Sequence, residues 1–513
     1  METTMETTWL RMRPHWRLAK NATANLARGG ATALVVLLLP PILVRHMPSA
    51  AYGVWVLVLQ TAGYIGYLDL GLQTAVGRYI AYANEKKDAE QRDSVFSTAF
   101  AGLALAGLIS LALLPMVAWA APLLFPHIPA ALISEMRWAL VIVGGSLAIG
   151  LPASAWSGVF VGLQRYEIPA LTVGMTRALA ALGLVAVALA GKSIVVMSLV
   201  MAAANLMSYA AQYTFLRRVA PEIHFERRQV SRSTAQMLYG YCFGLTVMAF
   251  SVLLVTGFDL VLVARFDFGA VIAYSVAASL ITFMSGLLYA VLNVIMPHAA
   301  TLHAREDAKG LGELAIAATR ISVVLLLLTG IPLLIYAAPI LRLWIGSQFV
   351  RPGKPILIVL VVANMVRLIG APYSIILIAA GQQRYIKISP LSEGISNFTA
   401  SLVLGYRYGA IGVALGTLIG SLVGLASHLL YSMPRTCRAI DFGRFQYALS
   451  GVVIPALCTT PLLLLAGLAL TGSAIRPVVF GCAFVLSLVG VGVALRRSGI
   501  ALPHSRRAAE ANT

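Results

Sequence analysis

The chain has 513 residues, 59% hydrophobic and only 11% charged, with a mean hydropathy of +0.85. Soluble domains are nearer a quarter charged, so a water-soluble enzyme or binding module is excluded. The net charge of +19 would point to nucleic acid in a soluble chain, but here the basic residues fall between apolar runs and no aromatic-basic platform accompanies them, so no nucleic-acid partner is expected.

The apolar runs are each near twenty residues long. A hydrocarbon core of ~30 Å needs roughly 20 residues per helix, and runs of that length are too long for barrel strands. In chain order the predicted spans are roughly 25–45, 52–80, 94–120, 138–161, 169–190, 194–216, 237–264, 270–296, 314–340, 355–380, 388–406, 409–432, 447–471 and 475–496. The first follows a basic segment from Trp9 to Lys20 and lacks a small-residue cleavage site, so it reads as an anchor rather than a signal peptide. The second and seventh are long enough to tilt. The expected fold class is therefore an all-α polytopic membrane protein of about 14 transmembrane helices.

Orientation follows from the basic residues. Arg11, Arg13, Arg17 and Lys20 precede the first span; Lys86, Lys87 and Arg92 follow the second; Arg217, Arg218, Arg227, Arg228 and Arg232 follow the sixth. Arg435, Arg438 and Arg444 follow the twelfth, and Arg496, Arg497, Arg506 and Arg507 follow the last. Most alternate connectors carry single basic residues, the exception being the one with Arg342, Arg351 and Lys354. Both termini are expected in the cytoplasm. Cys242, Cys437, Cys458 and Cys482 are dispersed, and no histidine has ligand spacing, so neither a metal nor another cofactor is expected.

Two weak echoes suggest a duplication. Gly162-Leu163-Gln164-Arg165-Tyr166 closes the fourth span and Gly381-Gln382-Gln383-Arg384-Tyr385 the tenth, placing Arg165 and Arg384 219 residues apart. Ala51-Tyr52 opens the second span and Ala273-Tyr274 the eighth. A duplicated six-span unit keeps its orientation, and parallel repeats with a substrate site between them mark transporters. The domains expected are an N-lobe (1–216), a cytoplasmic linker (217–236), a C-lobe (237–432), and two further spans with a tail (433–513). Gly158 and Gly162 are the kind of small residue that lets helices approach closely in lipid.

Pro48-Ser49-Ala50-Ala51-Tyr52-Gly53, then Asp69-Leu70-Gly71-Leu72 with Arg78-Tyr79, then Gly162 to Tyr166 resemble the polysaccharide transporter branch of the multidrug/oligosaccharidyl-lipid/polysaccharide exporter superfamily, which includes Wzx-type flippases. The resemblance implies a fold like that of multidrug/toxin exporters. It also implies movement of an undecaprenyl-pyrophosphate-linked oligosaccharide across the bacterial inner membrane, toward the periplasm, for O-antigen, capsule or exopolysaccharide. The partners it implies are that polyprenyl-diphosphate-linked oligosaccharide, the surrounding membrane lipids, and the polymerase and glycosyltransferases of the same biosynthesis.

Ionisable groups inside spans are costly and usually functional or paired. Arg28 and Asp69 lie at equal depth on the first predicted hairpin, as a structural pair or a switchable one. On the second span, Gln60, Tyr64, Tyr67, Gly71, Thr74 and Arg78 form one helical stripe, expected to line a cavity. Gly66, Asp69, Gln73 and Gly77 form another, expected to pack on a neighbour. Arg367 lies about 18 Å into its span, with Asn364 and Ser374 on its face, and Arg177 about 12 Å into the fifth. Arg320 is shallower, Glu393 and Asn397 stand one turn apart, and Asp259 with Arg265 reads as an interfacial pair. Arginine is a permanently charged, bidentate partner for phosphate. Arg177, Arg367, Arg78, Arg320, Asn364, Tyr64 and Tyr67 are thus the expected substrate-binding set, and Arg28, Asp69 and Glu393 the gating or coupling set. Whether Asp69, Glu393 or Asp259 couples transport to a proton or sodium gradient stays open. The competing function is a multidrug cation antiporter, disfavoured because the deep charges lean toward arginine. A membrane polymerase or ligase is disfavoured because external connectors are short and lack paired carboxylates.

Overall fold

In the computed structural model, residues 37–436 are described, and the long regular elements among them are helices. The predicted spans 447–471 and 475–496, most of the first span, and Arg28 lie outside the described residues. Among the described residues, ten helices are long and apolar enough to cross a membrane. The chain forms two compact units that divide at Val276 and Ala277.

The first unit runs through α1 (Leu37–His46), α2 (Ser49–Gly63), α3 (Leu72–Glu85), α4 (Ala89–Leu124), α5 (Ala130–Gly150), α6 (Ala153–Gly162), α7 (Glu167–Leu189), α8 (Ile194–Val219), α9 (Arg232–Val252) and α10 (Asp259–Phe266) to the start of α11 (Val271–Ala304). Its core joins Val76 and Ile80 of α3, Phe96 and Leu103 of α4, Phe160 of α6, Leu216 of α8 and Leu238 of α9. Glycines set the spacing. A Cβ on Gly158 would lie 2.7 Å from the Gln73 carbonyl oxygen, and one on Gly162 2.9 Å from that of Gly77, so α3 and α6 touch backbone to backbone. The expected close approach at Gly158 and Gly162 is present. The outward faces are aliphatic: Leu105, Leu108 and Met116 of α4 are exposed, the pattern of a helix facing acyl chains.

The second unit continues α11 and adds α12 (Ala308–Ile335), α13 (Ala337–Trp344), α14 (Val350–Leu368), α15 (Ala371–Ala379), α16 (Gln383–Ile386), α17 (Ile388–Ser427) and α18 (Met433–Thr436). α17 is continuous only in name. Gly409 has φ 60° and ψ −139°, a conformation open to glycine alone, and the chain turns back on itself there. Across the fold, Ser401 Oγ donates to the Val413 carbonyl (3.1 Å) and Ser389 Oγ to that of Gly424 (2.7 Å). The two halves match the predicted spans 388–406 and 409–432.

One turn occurs in both units. Lys87 (φ 57°) and Glu306 (φ 56°) are left-handed, and each precedes an aspartate N-cap. Asp88 Oδ1 accepts from Gln91 N (2.9 Å), and Asp307 Oδ1 from Gly310 N (2.7 Å). The two turns stand 219 residues apart, the same offset as Arg165 and Arg384. The duplication read from two short motifs thus has a third, conformational witness.

The α17 hairpin depends on the absence of side chains at its glycines. A Cβ on Gly420 would sit 2.6 Å from Asn397 Cβ and 3.0 Å from the Glu393 carbonyl oxygen. Gly420→Val is expected to destabilise the protein by about 1–3 kcal/mol through overpacking. Thermal unfolding in detergent checks this, and an unchanged midpoint would refute it.

Candidate functional site

The second predicted span is not one helix, and this corrects the two polar stripes drawn along it. α2 gives way to a 3-10 turn over Tyr64–Asp69, and Leu70 (φ 52°) and Gly71 (φ 82°) are both left-handed before α3 begins. A single helical period therefore does not run through Tyr64, Tyr67 and Gly71. Asp69 sits at the break, where its carboxylate accepts from Gln73 N (3.3 Å) and so tethers the first turn of α3. From α9, Thr246 Oγ1 donates to the Leu70 carbonyl (3.1 Å). The second stripe does pack on a neighbour at Gly77, against Val161 and Gly158 of α6.

Tyr64 serves the backbone. A π-helical segment, Leu253–Gly257, separates α9 from α10. The Gly257 carbonyl accepts from both Tyr64 Oη (2.6 Å) and Gln60 Nε2 (2.8 Å), and the Tyr64 ring lies against Phe258. Tyr67 is half-buried beside this arrangement. Asp259 is buried and accepts from Tyr274 Oη (3.0 Å). Arg265 donates to the Leu123 carbonyl (3.3 Å), so the residues expected to face each other each have another partner.

Two arginines of this unit are exposed and have no carboxylate partner among the described residues. Arg78 lies on α3 with its guanidinium over the Tyr241 ring. Arg177 lies on α7 within electrostatic reach of Tyr209. The exposed aliphatic face of α7 carries Leu171, Met175, Leu179 and Leu182. At 100° per residue, Arg177 points roughly 150° away from it. The side chain is turned from the face that suits acyl chains.

The second unit gathers the remaining polar residues. Arg367 ends α14, just before the interruption at Ile369–Gly370, so Ser374 on α15 is not a continuation of its helical face. Its guanidinium donates to Asn364 Oδ1, and its Nε lies 3.9 Å from Glu393 Oε1. That carboxylate oxygen has no hydrogen-bond partner among the described residues. The side chains of Arg367 and Glu393 are 18% and 10% exposed, so the loose ion pair is largely withdrawn from solvent. Glu393 is pressed against Gly424 of the returning half of α17, and Tyr289 of α11 lies within electrostatic reach of both charges. Asn397, fully buried, accepts from Ser401 Oγ (2.9 Å). Arg320 is half-buried on α12. Among the described residues no group of three or more His, Cys, Asp and Glu gathers to hold a metal ion.

Sequence reasoning missed Tyr241, Tyr289 and the Gly257 carbonyl. Tyr241 and Tyr289 carry no local pattern, and the π-helical segment has no sequence signature. Helix-break glycines at 71 and 409 were the available signals.

Broken helices, arginines inside spans and paired units define a multi-pass membrane protein with a transporter fold. The structure is similar to the lipid II flippase MurJ in an inward closed conformation, with TM-score 0.72 and 15% identity over 93% of this chain and 99% of MurJ. It is also similar to an inward-facing multidrug resistance MATE family transporter of the MOP superfamily, with TM-score 0.67 and 13% identity over 84% and 99%. A third match is a MOP superfamily transporter from Pyrococcus furiosus, described as having a binding pocket of reverse polarity, with TM-score 0.56 and 15% identity over 81% and 93%. No curated protein sequence matches the chain significantly. The family model for polysaccharide biosynthesis proteins matches residues 18–303, more than half of the chain. The chain belongs to that family.

The shared acceptor at Gly257 gives a non-additive prediction. Gln60→Leu or Tyr64→Phe alone leaves one donor. Together they are expected to cost about 1–3 kcal/mol beyond the sum of the singles, by orphaning the carbonyl. Denaturation of the four proteins of the cycle measures it, and strict additivity would contradict the assignment.

Proposed function

We propose that the protein is a flippase, not an enzyme, carrying an undecaprenyl-pyrophosphate-linked oligosaccharide from the cytoplasmic to the periplasmic leaflet. The setting is the bacterial inner membrane, with both termini in the cytoplasm and with polymer synthesis by a polymerase and glycosyltransferases on either side of the step. The family supports the link to polysaccharide, and the fold is one that a lipid flippase also uses. The observation that carries the reading is the state of the span arginines. Arg78 and Arg177 have no carboxylate partner among the described residues, and Arg367 has one only at 3.9 Å. Arginines left unneutralised inside spans favour an anionic cargo. A cation exporter would reverse that balance.

In this reading Arg367 and Arg177 take phosphate oxygens, with Asn364 orienting the guanidinium of Arg367 and Arg320 and Arg78 adding positive potential. Glu393 competes with phosphate for Arg367. Its loose contact permits exchange, since a tight bidentate pair would have to be broken at each cycle. Coupling to a proton or sodium gradient acts through Glu393, with Asp69 as the acid of the other unit. The lobes that alternate are residues 1–216 and 237–432, joined by 217–236 and followed by 433–513. α9 and α10 belong to the second lobe by sequence and pack with the first unit through Thr246 and Gly257.

In a deletion strain, Arg367→Ala and Arg177→Ala are each expected to insert at normal levels yet fail to restore polymer export, leaving lipid-linked oligosaccharide on the cytoplasmic leaflet. Full export by both single variants would remove them from the phosphate role. Glu393→Gln is expected to bind cargo at least as tightly and export it more slowly, because nothing displaces phosphate from Arg367. Faster export by that variant would contradict the competition.

A further inference from the structure

α3 carries a feature that the phosphate reading above uses only as background positive potential at Arg78. Thr74, Arg78, Tyr82 and Lys86 follow one another at four-residue spacing and are all exposed. From Thr74 to Lys86 they cover about 18 Å of helix. The exposed lipid-type faces of α4 and α7 are instead mostly apolar, with Leu105, Leu108 and Met116 on one and Leu171, Met175, Leu179 and Leu182 on the other. A helix face meant for acyl chains would not present hydroxyl, guanidinium, phenol and ammonium in a row.

The charges on this face are already held. The Arg78 guanidinium carbon lies 4.7 Å from the centroid of the Tyr241 ring and 5.8 Å from that of Tyr79. The two rings meet edge to face at 5.9 Å. Lys86 Nζ lies 4.6 Å over the Tyr82 ring. Cation–π contacts fix a cation without neutralising it and leave the in-plane N–H fork free for an oxyanion. Between Asp69, committed to Gln73, and Glu85 at its end, α3 has no acidic residue. Glu85 is exposed on the same side of the helix two turns beyond Arg78, and neither acid forms an ion pair with Arg78.

From this arrangement the geometry points to a diphosphate-docking cradle. Arg78 clamps the phosphates, held by Tyr79 and Tyr241, and Lys86 and Tyr82 extend the site toward a sugar. The ligand is a polyprenyl-diphosphate glycan as it arrives from the Lys86-Lys87 end of α3. This deepens the flippase reading and rests on it. It separates first capture, at Arg78, from transit, at Arg177 and Arg367. Tyr241 comes from α9, so capture ties α9 to α3, the pair already joined by Thr246 and the Leu70 carbonyl.

The test is binding of farnesyl diphosphate to the full chain in zwitterionic nanodiscs, with inorganic pyrophosphate as competitor. The wild type is expected to bind the lipid diphosphate and to release it to excess pyrophosphate. Arg78→Ala is expected to bind about 10- to 100-fold more weakly, the loss of a charge-assisted bidentate contact. Tyr241→Leu is expected to lose about two- to fivefold, and Tyr241→Phe, which keeps the ring, almost nothing. Arg78→Lys controls for folding, since it retains the charge and should fall between wild type and alanine. If wild type binds and Arg78→Ala binds equally, the cradle is wrong and the flippase reading stands. If wild type binds no lipid diphosphate at all, the flippase reading itself fails.

Discussion

Lipid offers no hydrogen bonds, so every irregularity in a span must be satisfied by another part of the chain. This constraint orders the polar residues more than any other. The Gly257 carbonyl, freed by the π-helical segment, takes two donors from α2. The Leu70 carbonyl, freed by two successive left-handed residues, takes Thr246. On α17 the carbonyls of Gly424 and Val413 take serines from the opposite half. Of these residues, Gln60 and Tyr64 read in the sequence as lining a cavity, and in the structure both donate to a backbone carbonyl.

The arginines are a different population. The donors that repair a break, Gln60, Tyr64 and Thr246, are neutral and lie within hydrogen-bond distance of their carbonyls. Among the described residues, Arg78 and Arg177 are charged, exposed and without a carboxylate partner, and Arg367 keeps its carboxylate at arm's length. A structural role would pull such a pair into tight bidentate contact, because a buried charge with an imperfect partner is costly. On the proposed flippase reading, that looseness lets the protein surrender the cation to its cargo and take it back.

The spans were legible because an apolar stretch of bilayer length has few other fates, and the glycine contacts of α3 with α6 were legible because small residues at helical spacing have a mechanical reason. The 219-residue repeat was legible from Arg165 and Arg384 and is matched by the turns at Lys87 and Glu306. The break over Tyr64–Gly71 was not. Leu70 disfavours a left-handed conformation, and nothing local announces that tertiary contacts impose it. A helical wheel drawn through that break joined Tyr64 to Arg78, but Tyr64 donates to the Gly257 carbonyl and Arg78 stands over the Tyr241 ring on α3. The Arg367–Asn364 contact was readable as a three-residue spacing on one helix, and the approach of Glu393 was not, because it depends on how α14 meets α17.

The turn at Gly409 makes α17 double back with almost no chain to spare. A reversal that short leaves only a narrow tip, with Tyr406, Arg407 and Tyr408 exposed, for a protease, an antibody or a partner protein to grip. Behind that tip, the hydrogen bonds from Ser401 to Val413 and from Ser389 to Gly424 tie the twin passes of α17, so they move as one thick rod.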